Sequence, residues 1–156
     1  MHKSFKSKVV VTGAVSGLRL AIAKKLSQYK VRAALFDNIK DLLLKLQKEF
    51  PKDMKFYVVD IANEEAIKKP ISETVKHFGS IDILVNGAEI TGKTNIKSHE
   101  VEYTDLKSVF VVNFLSSFYT SKYVLPLMLK NNYSLILHIA SIAGKEGNAD
   151  MLAYSA

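Results

Sequence analysis

Lys8-Val9-Val10-Val11-Thr12-Gly13-Ala14-Val15-Ser16-Gly17-Leu18-Arg19-Leu20 reads as a buried strand, a glycine turn and the start of a helix. An apolar run that does not alternate is a strand covered on both faces. Glycines between such a strand and its helix let the backbone turn tightly and approach a pyrophosphate, which then rests on the helix N-terminus. A glycine pair in this place also serves packing alone, so its context decides. Asp37 ends the next apolar run, about 20 residues beyond the turn, where a carboxylate binds the ribose hydroxyls of NAD and repels the extra phosphate of NADP. The alternative is that Asp37 caps the helix after it.

Outward from that stretch, apolar runs alternate with helical periodicity, the pattern of βαβ units and a parallel sheet. Strands are expected at Lys8–Thr12 and over 31–36, 55–59, 81–85 and 134–140. The first helix, over 17–29, carries Leu18, Ala21, Ile22 and Leu26 on one stripe. Asn38 is expected to cap a second helix that turns Ile39, Leu42, Leu43 and Leu46 inward and ends before Pro51. Asn63, with Glu64 and Glu65 in the first turn, caps a third that Gly79 terminates. A long helix is expected over 101–130, opening at Val101 and closing at Lys130, with Phe110, Phe114 and Phe118 as a packing stripe. The fifth strand carries the apolar residues Leu135, Ile136, Leu137, Ile139 and Ala140, yet only a loop and a few helical residues follow it, so its outer face is expected to be uncovered.

Composition removes several classes of function. A chain of 156 residues fits one domain, and one of that size buries about 70% of its unfolded surface. With 48% hydrophobic and 24% charged residues it is an ordinary globular composition. It has no cysteine, hence no disulfide framework and no thiolate metal site. The apolar run after the basic N-terminus breaks at Thr12-Gly13, too short for a signal core or a membrane span, so the expected location is cytoplasmic. The net charge of +7 is spread lysine, with Arg19 and Arg32 the only arginines; a solvated surface is expected, with no nucleic-acid partner. His2, His77, His99 and His138 lack ligand spacing, so no metal is expected.

Further motifs follow in order: Asp60-Ile61 after the third strand, Asn86-Gly87-Ala88 after the fourth, Asn113 in the long helix, Ser141 after the fifth, and Tyr154. Together with Thr12-Gly13-Ala14-Val15-Ser16-Gly17, their spacing resembles that of the short-chain dehydrogenases/reductases, over essentially the whole chain but only the first part of a typical member. The resemblance implies an α/β fold, a Rossmann-like doubly wound parallel sheet in strand order 3-2-1-4-5. The chain is expected to be a single incomplete dinucleotide-binding domain over 1–156, truncated after strand five.

The resemblance also implies roles. Gly13, Ser16, Gly17 and Leu18 line the cofactor's phosphates and nicotinamide side, Asp37 the ribose, Asp60 and Ile61 the adenine. Asn86 and Ala88 pass under the other ribose. Tyr154 is the general acid/base, Ser141 bonds the substrate carbonyl, and Asn113 holds a relay water. Hydride passes between NAD, or NADP, and a carbonyl or secondary alcohol, of 3-oxoacyl-thioester or sugar type. Part of the long helix lines a dimer interface, so self-association through it is expected.

Four features depart from that pattern. The family signature runs Tyr-x-x-x-Lys, and a neighbouring ammonium moves a phenol toward working pH; this chain reads Tyr154-Ser155-Ala156. On that ground the chain by itself is expected to lack turnover, and a non-catalytic, truncated or decayed member is the alternative; a lysine-rich binding module comes third. Arg19 stands for the third glycine of the turn, Gly87 for an asparagine and Glu89 for a glycine. Arg19 and Glu89 face each other across the crevice where the dinucleotide would lie. The default for such charges is separate solvated side chains, an ion pair the alternative.

Overall fold

Five apolar runs make parallel strands in the computed structural model, which describes residues 7–29, 31–131 and 133–156. The strands are β1 (Lys8–Thr12), β2 (Arg32–Asp37), β3 (Met54–Val58), β4 (Ile83–Asn86) and β5 (Leu135–His138). Their order is β3-β2-β1-β4-β5, with Val9 paired to Ala33 on one side and Ile83 on the other. Between them run α1 (Gly17–Gln28), α2 (Lys40–Glu49), α3 (Glu64–Phe78), α4 (Tyr103–Phe110) and α5 (Ser116–Met128), with short α6 (Ala143–Glu146) and α7 (Leu152–Ser155) at the end. This is the expected Rossmann-like order. His2 and most of the basic N-terminal stretch lie outside the described residues. No helix among the described residues is long and apolar enough to cross a membrane.

Strand pleating divides the core between the two faces. Val10, Ala34, Phe36 and Leu84 pack with Ile67, Ile71 and Phe78 of α3 and Val124 and Met128 of α5. Val9, Val11, Ala33 and Leu35 pack on the other face with Ala23 of α1 and Met54. Both faces of the central strands are dry, which is why they read as unbroken apolar runs. β5 is different: Ile136 joins the first cluster, while Leu135 and Leu137 are half-exposed.

Several expectations are corrected. The α1 stripe is Ile22, Ala23 and Leu26; Leu18 and Ala21 are exposed, because the inward face is centred on Ala23 and Leu26 and they stand on the side of Lys25. In α2 only Leu43 and Leu46 are buried, and Ile39 and Leu42 are largely exposed. Asn38 does not cap that helix. Ile39 stands at the cap position and no side chain caps the helix; Asp37, at the end of β2, closes the turn before it, its Oδ1 accepting from the Ile39 N–H at 3.0 Å. Asn63 caps α3 as expected, its Oδ1 accepting from the N–H groups of Glu65 and Ala66, and Gly79 ends it at φ 86°.

The long helix is not continuous over 101–130. Val101 and Glu102 are extended, the helix begins at Tyr103, and a π turn at Val111–Leu115 widens it between α4 and α5. Phe110, Phe114 and Phe118 are each about half exposed, Phe110 stacked on Phe114, so they are not an inward packing stripe. α5 is tied to α3 through Glu64, which accepts from Lys122 Nζ at 2.7 Å and Tyr123 Oη at 2.8 Å.

Candidate functional site

β1 and β4 are neighbours, so the turns at their C-terminal ends form two walls of one crevice. Thr12 locks the walls together: its buried Oγ1 accepts from the N–H groups of Gly87, at 3.1 Å, and Ala88, at 3.3 Å. Gly13 sits at φ +69°, and a Cβ there would meet the Ala88 Cα at 2.7 Å. Backbone thus faces backbone across the crevice floor, an approach that only glycine permits.

Two cavities open along this crevice. The first is lined by Gly13, Ser16, Asp37, Asp60, Ile61 and Ala88 among others, six of the nine residues expected to hold a cofactor. Asp37 is buried, and its second oxygen, Oδ2, accepts from Val15 N–H at 3.2 Å. The Asp37 carboxylate thus joins the glycine turn to the turn that leads into α2, and it lines the cavity. Asp60 closes its own turn, Oδ1 accepting from Ala62 N–H. The first-turn N–H groups of α1 have no intrahelical acceptors by helix geometry, and the Ser16 side chain makes no capping bond to them.

Gly17, Leu18 and Asn86 do not line that cavity. The Asn86 side chain instead turns toward α5. Its Oδ1 accepts from Thr120 Oγ1 at 2.7 Å, and Nδ2 lies within reach of Ser117 O, Ser121 Oγ and His138 Nδ1. Any ligand contact from Asn86 is left to its backbone.

The second cavity brings together Asn113, Ser141 and Tyr154, the three residues expected to be catalytic, with Phe114, Phe118 and His138. The π turn supplies Asn113, whose carboxamide clasps Ile90 twice: Oδ1 accepts from Ile90 N–H and Nδ2 donates to Ile90 O, each at 2.9 Å. Ser141 Oγ accepts from Ala143 N–H at 3.2 Å, which starts the turn into α6. Tyr154 reaches the cavity from α7.

Ala88 and Glu89 line both cavities, and Glu89 carries the bridge between the walls. Its Oε1 is 2.6 Å from Arg19 Nη1, and its Oε2 accepts from Tyr154 Oη at 3.0 Å. Arg19 Nε also points to Gly13 O at 3.4 Å. The charges that sequence reasoning left solvated by default are therefore paired. The Arg19 side chain is 12% exposed and that of Glu89 35%. The stem of Arg19 lies over Gly87, where a Cβ would meet Arg19 Cγ at 2.6 Å. The departures at positions 19, 87 and 89 are one packed unit. Sequence reasoning missed the Tyr154 contact and the Thr12 lock; the ordinary Thr-Gly turn gave no signal for either.

Comparison with known proteins agrees with this geometry. Residues 7–156 match the short chain dehydrogenase family. The chain is 34% identical over 148 residues to the 2-dehydro-3-deoxy-L-rhamnonate dehydrogenase (NAD(+)) of Sphingomonas sp. (strain SKA58), covering 94% of this chain and 58% of that protein. It is 32% identical to an uncharacterized oxidoreductase of Staphylococcus epidermidis, covering 100% of this chain and 67% of the other. Among solved structures it superposes on NAD+-bound xylitol dehydrogenase with a TM-score of 0.92 at 30% identity, over 98% of this chain and 60% of that one. Serine dehydrogenase from Escherichia coli gives 0.88 at 26% identity, over 95% and 68%. The chain thus spans about three fifths to two thirds of its relatives' length.

Proposed function

The chain belongs to the short-chain dehydrogenase family, and on that premise we propose that it carries the nucleotide site and the proton-handling groups of an NAD-linked oxidoreductase acting on secondary alcohols or carbonyls. One observation carries the reading. The cavity of Gly13, Ser16, Asp37, Asp60 and Ile61 adjoins, through Ala88 and Glu89, the cavity of Asn113, Ser141 and Tyr154.

The residues at both ends suit a nicotinamide dinucleotide. Asp37 accepts from ribose hydroxyls and opposes a 2′-phosphate, which favours NAD over NADP. Gly13 admits the phosphates close to the backbone, with Ser16, Gly17 and Leu18 at the α1 N-terminus beside them. Asp60 and Ile61 flank the adenine, and Ala88 with the Asn86 backbone supports the second ribose. When bound, the nicotinamide supplies the hydride acceptor or donor. Ser141 hydrogen-bonds the substrate oxygen, Tyr154 Oη holds the proton that oxygen gives or takes, and Asn113 fixes the adjoining loop and orients a relay water. Named relatives that act on a sugar acid and on xylitol favour a polyhydroxylated substrate.

Calorimetric titration with NAD and NADP, with Asp37→Ala as the comparison, tests the nucleotide site. NAD binding lost in the variant, and NADP weaker than NAD in the parent, is the expected result. Equal affinity of the parent and Asp37→Ala for NAD would overturn the assignment. Where a panel of polyols gives turnover, Tyr154→Phe lowers it about 10²–10⁴-fold.

A further inference from the structure

The adenosine end and the catalytic end each fit their part of a dinucleotide, but the span between them does not. Arg19 leaves the first turn of α1, beside the N–H groups that would receive a pyrophosphate. From there its side chain crosses to Glu89 on the β4 wall, and Glu89 continues to Tyr154 in the second cavity. Three polar contacts and the seat over Gly87 hold this bridge in place. While it stands, the Tyr154 proton is directed to Glu89 Oε2 and not into the cavity.

Resting on the nucleotide-site reading above, we propose that Arg19–Glu89–Tyr154 is a bolt across the crevice, which a whole dinucleotide must break and an adenosine-type mononucleotide need not. Adenosine monophosphate occupies only the Asp37 side, with its single phosphate at the glycine turn. NAD must carry its pyrophosphate and second ribose past Ala88 and Glu89, the two residues the cavities share. Passage separates the guanidinium from the carboxylate and removes the acceptor of the Tyr154 phenol. Opening the bolt therefore does two things at once: it admits the nicotinamide end and releases the Tyr154 proton toward substrate.

The two charges are unequal in effect. Removing Glu89 opens the bolt, takes a carboxylate away from an anionic ligand and frees Arg19 to meet the pyrophosphate. Removing Arg19 opens it but leaves the carboxylate unpaired. Glu89→Ala is therefore expected to tighten NAD about threefold to fivefold, a factor in the range of one partly screened ion pair. Arg19→Ala is expected to tighten it less, with the double variant between them. Arg19 and Glu89 line the first cavity as well, so affinity for adenosine monophosphate also shifts, but less than that for NAD in all three, since that ligand does not have to part the bridge.

The experiment is calorimetric titration of the four proteins with NAD and separately with adenosine monophosphate; Glu89→Gln, close in volume, replaces Glu89→Ala should the latter fold poorly. NAD tightened more than adenosine monophosphate by Glu89→Ala supports the bolt. NAD unchanged, weakened or tightened no more than adenosine monophosphate by Glu89→Ala, while adenosine monophosphate still binds, overturns the bolt and leaves the nucleotide site standing. Failure of every protein to bind either ligand overturns the nucleotide-site reading, and the bolt with it.

Discussion

Gly87→Ala tests whether positions 19, 87 and 89 form one packed unit. The added methyl would stand 2.6 Å from Arg19 Cγ, 3.1 Å from Cδ and 3.2 Å from Ile139 Cδ1. A free arginine stem would swing aside at little cost. This one is held at its far end by Glu89 and by Gly13 O. Overpacking of this kind costs about 1–3 kcal/mol. Against it, Gly87 is not among the glycines of positive φ, so alanine is conformationally allowed and narrows the unfolded chain's freedom by about 0.4–1 kcal/mol. The net expected loss is about 1–2 kcal/mol, near 2–4 °C in Tm per kcal/mol for a chain of this size.

In an Arg19→Ala background the stem is gone and only the milder Ile139 contact remains. There the same substitution should be neutral or slightly stabilising. The coupling read from a double-mutant cycle is then about 1–2 kcal/mol. Urea denaturation of the four proteins, with the m-value checked for constancy, measures it. Equal cost of Gly87→Ala in both backgrounds, within about 0.5 kcal/mol, would refute the reasoning. The arginine would then not be what requires a glycine there.

Further outcomes are expected at two residues away from the crevice. Tyr57 Oη is buried without a hydrogen-bond partner among the described residues, the nearby Thr74 hydroxyl being directed to Pro70 O. Tyr57→Phe should accordingly stabilise by about 0.5–1 kcal/mol in urea at neutral pH, and a loss above 1 kcal/mol would reveal a partner for the hydroxyl. Burial also holds that phenol above its usual range, so its neutral form favours the fold below about pH 10 and that favour is lost as pH rises through the raised value; Tyr57→Phe should remove this alkaline loss. Hydrogen bonds from Lys122 and Tyr123 lower the Glu64 carboxyl below its ordinary 4.5. Its contribution is present above about pH 4.5 and is lost as pH falls through the depressed value, so parent and Glu64→Gln should converge in stability under acid. Parallel pH profiles of the two proteins would count against that ion pair.

The periodicity of the chain determined the alternation of strands and helices and the layers, while the strand order came from the motifs' resemblance to a family. Runs such as Val9-Val10-Val11, apolar on both pleats, have no stable place but the middle of a parallel sheet, and glycine and asparagine signals at Gly13, Asn63 and Gly79 act within one turn of themselves. Motif spacing also chose the candidates at the crevice: Asp37 ends β2, Ala88 and Ser141 stand just after β4 and β5, and Tyr154 follows Ser141 by 13 positions, on α7. What the sequence could not determine depends on partners far along the chain. The π turn at Val111–Leu115 adds no pattern distinct from an α-helix. Asp37, from its position at the strand end, joins the glycine turn to the turn before α2, one carboxylate serving Val15 and Ile39 together. The bridge from Arg19 to Glu89 to Tyr154 joins residues separated by 70 and 65 positions. Only the adjacency of β1 and β4, with Gly87 clearing room for the arginine stem, brings them within a hydrogen bond, and Coulomb attraction between side chains has no expression in sequence until the fold has set their distance.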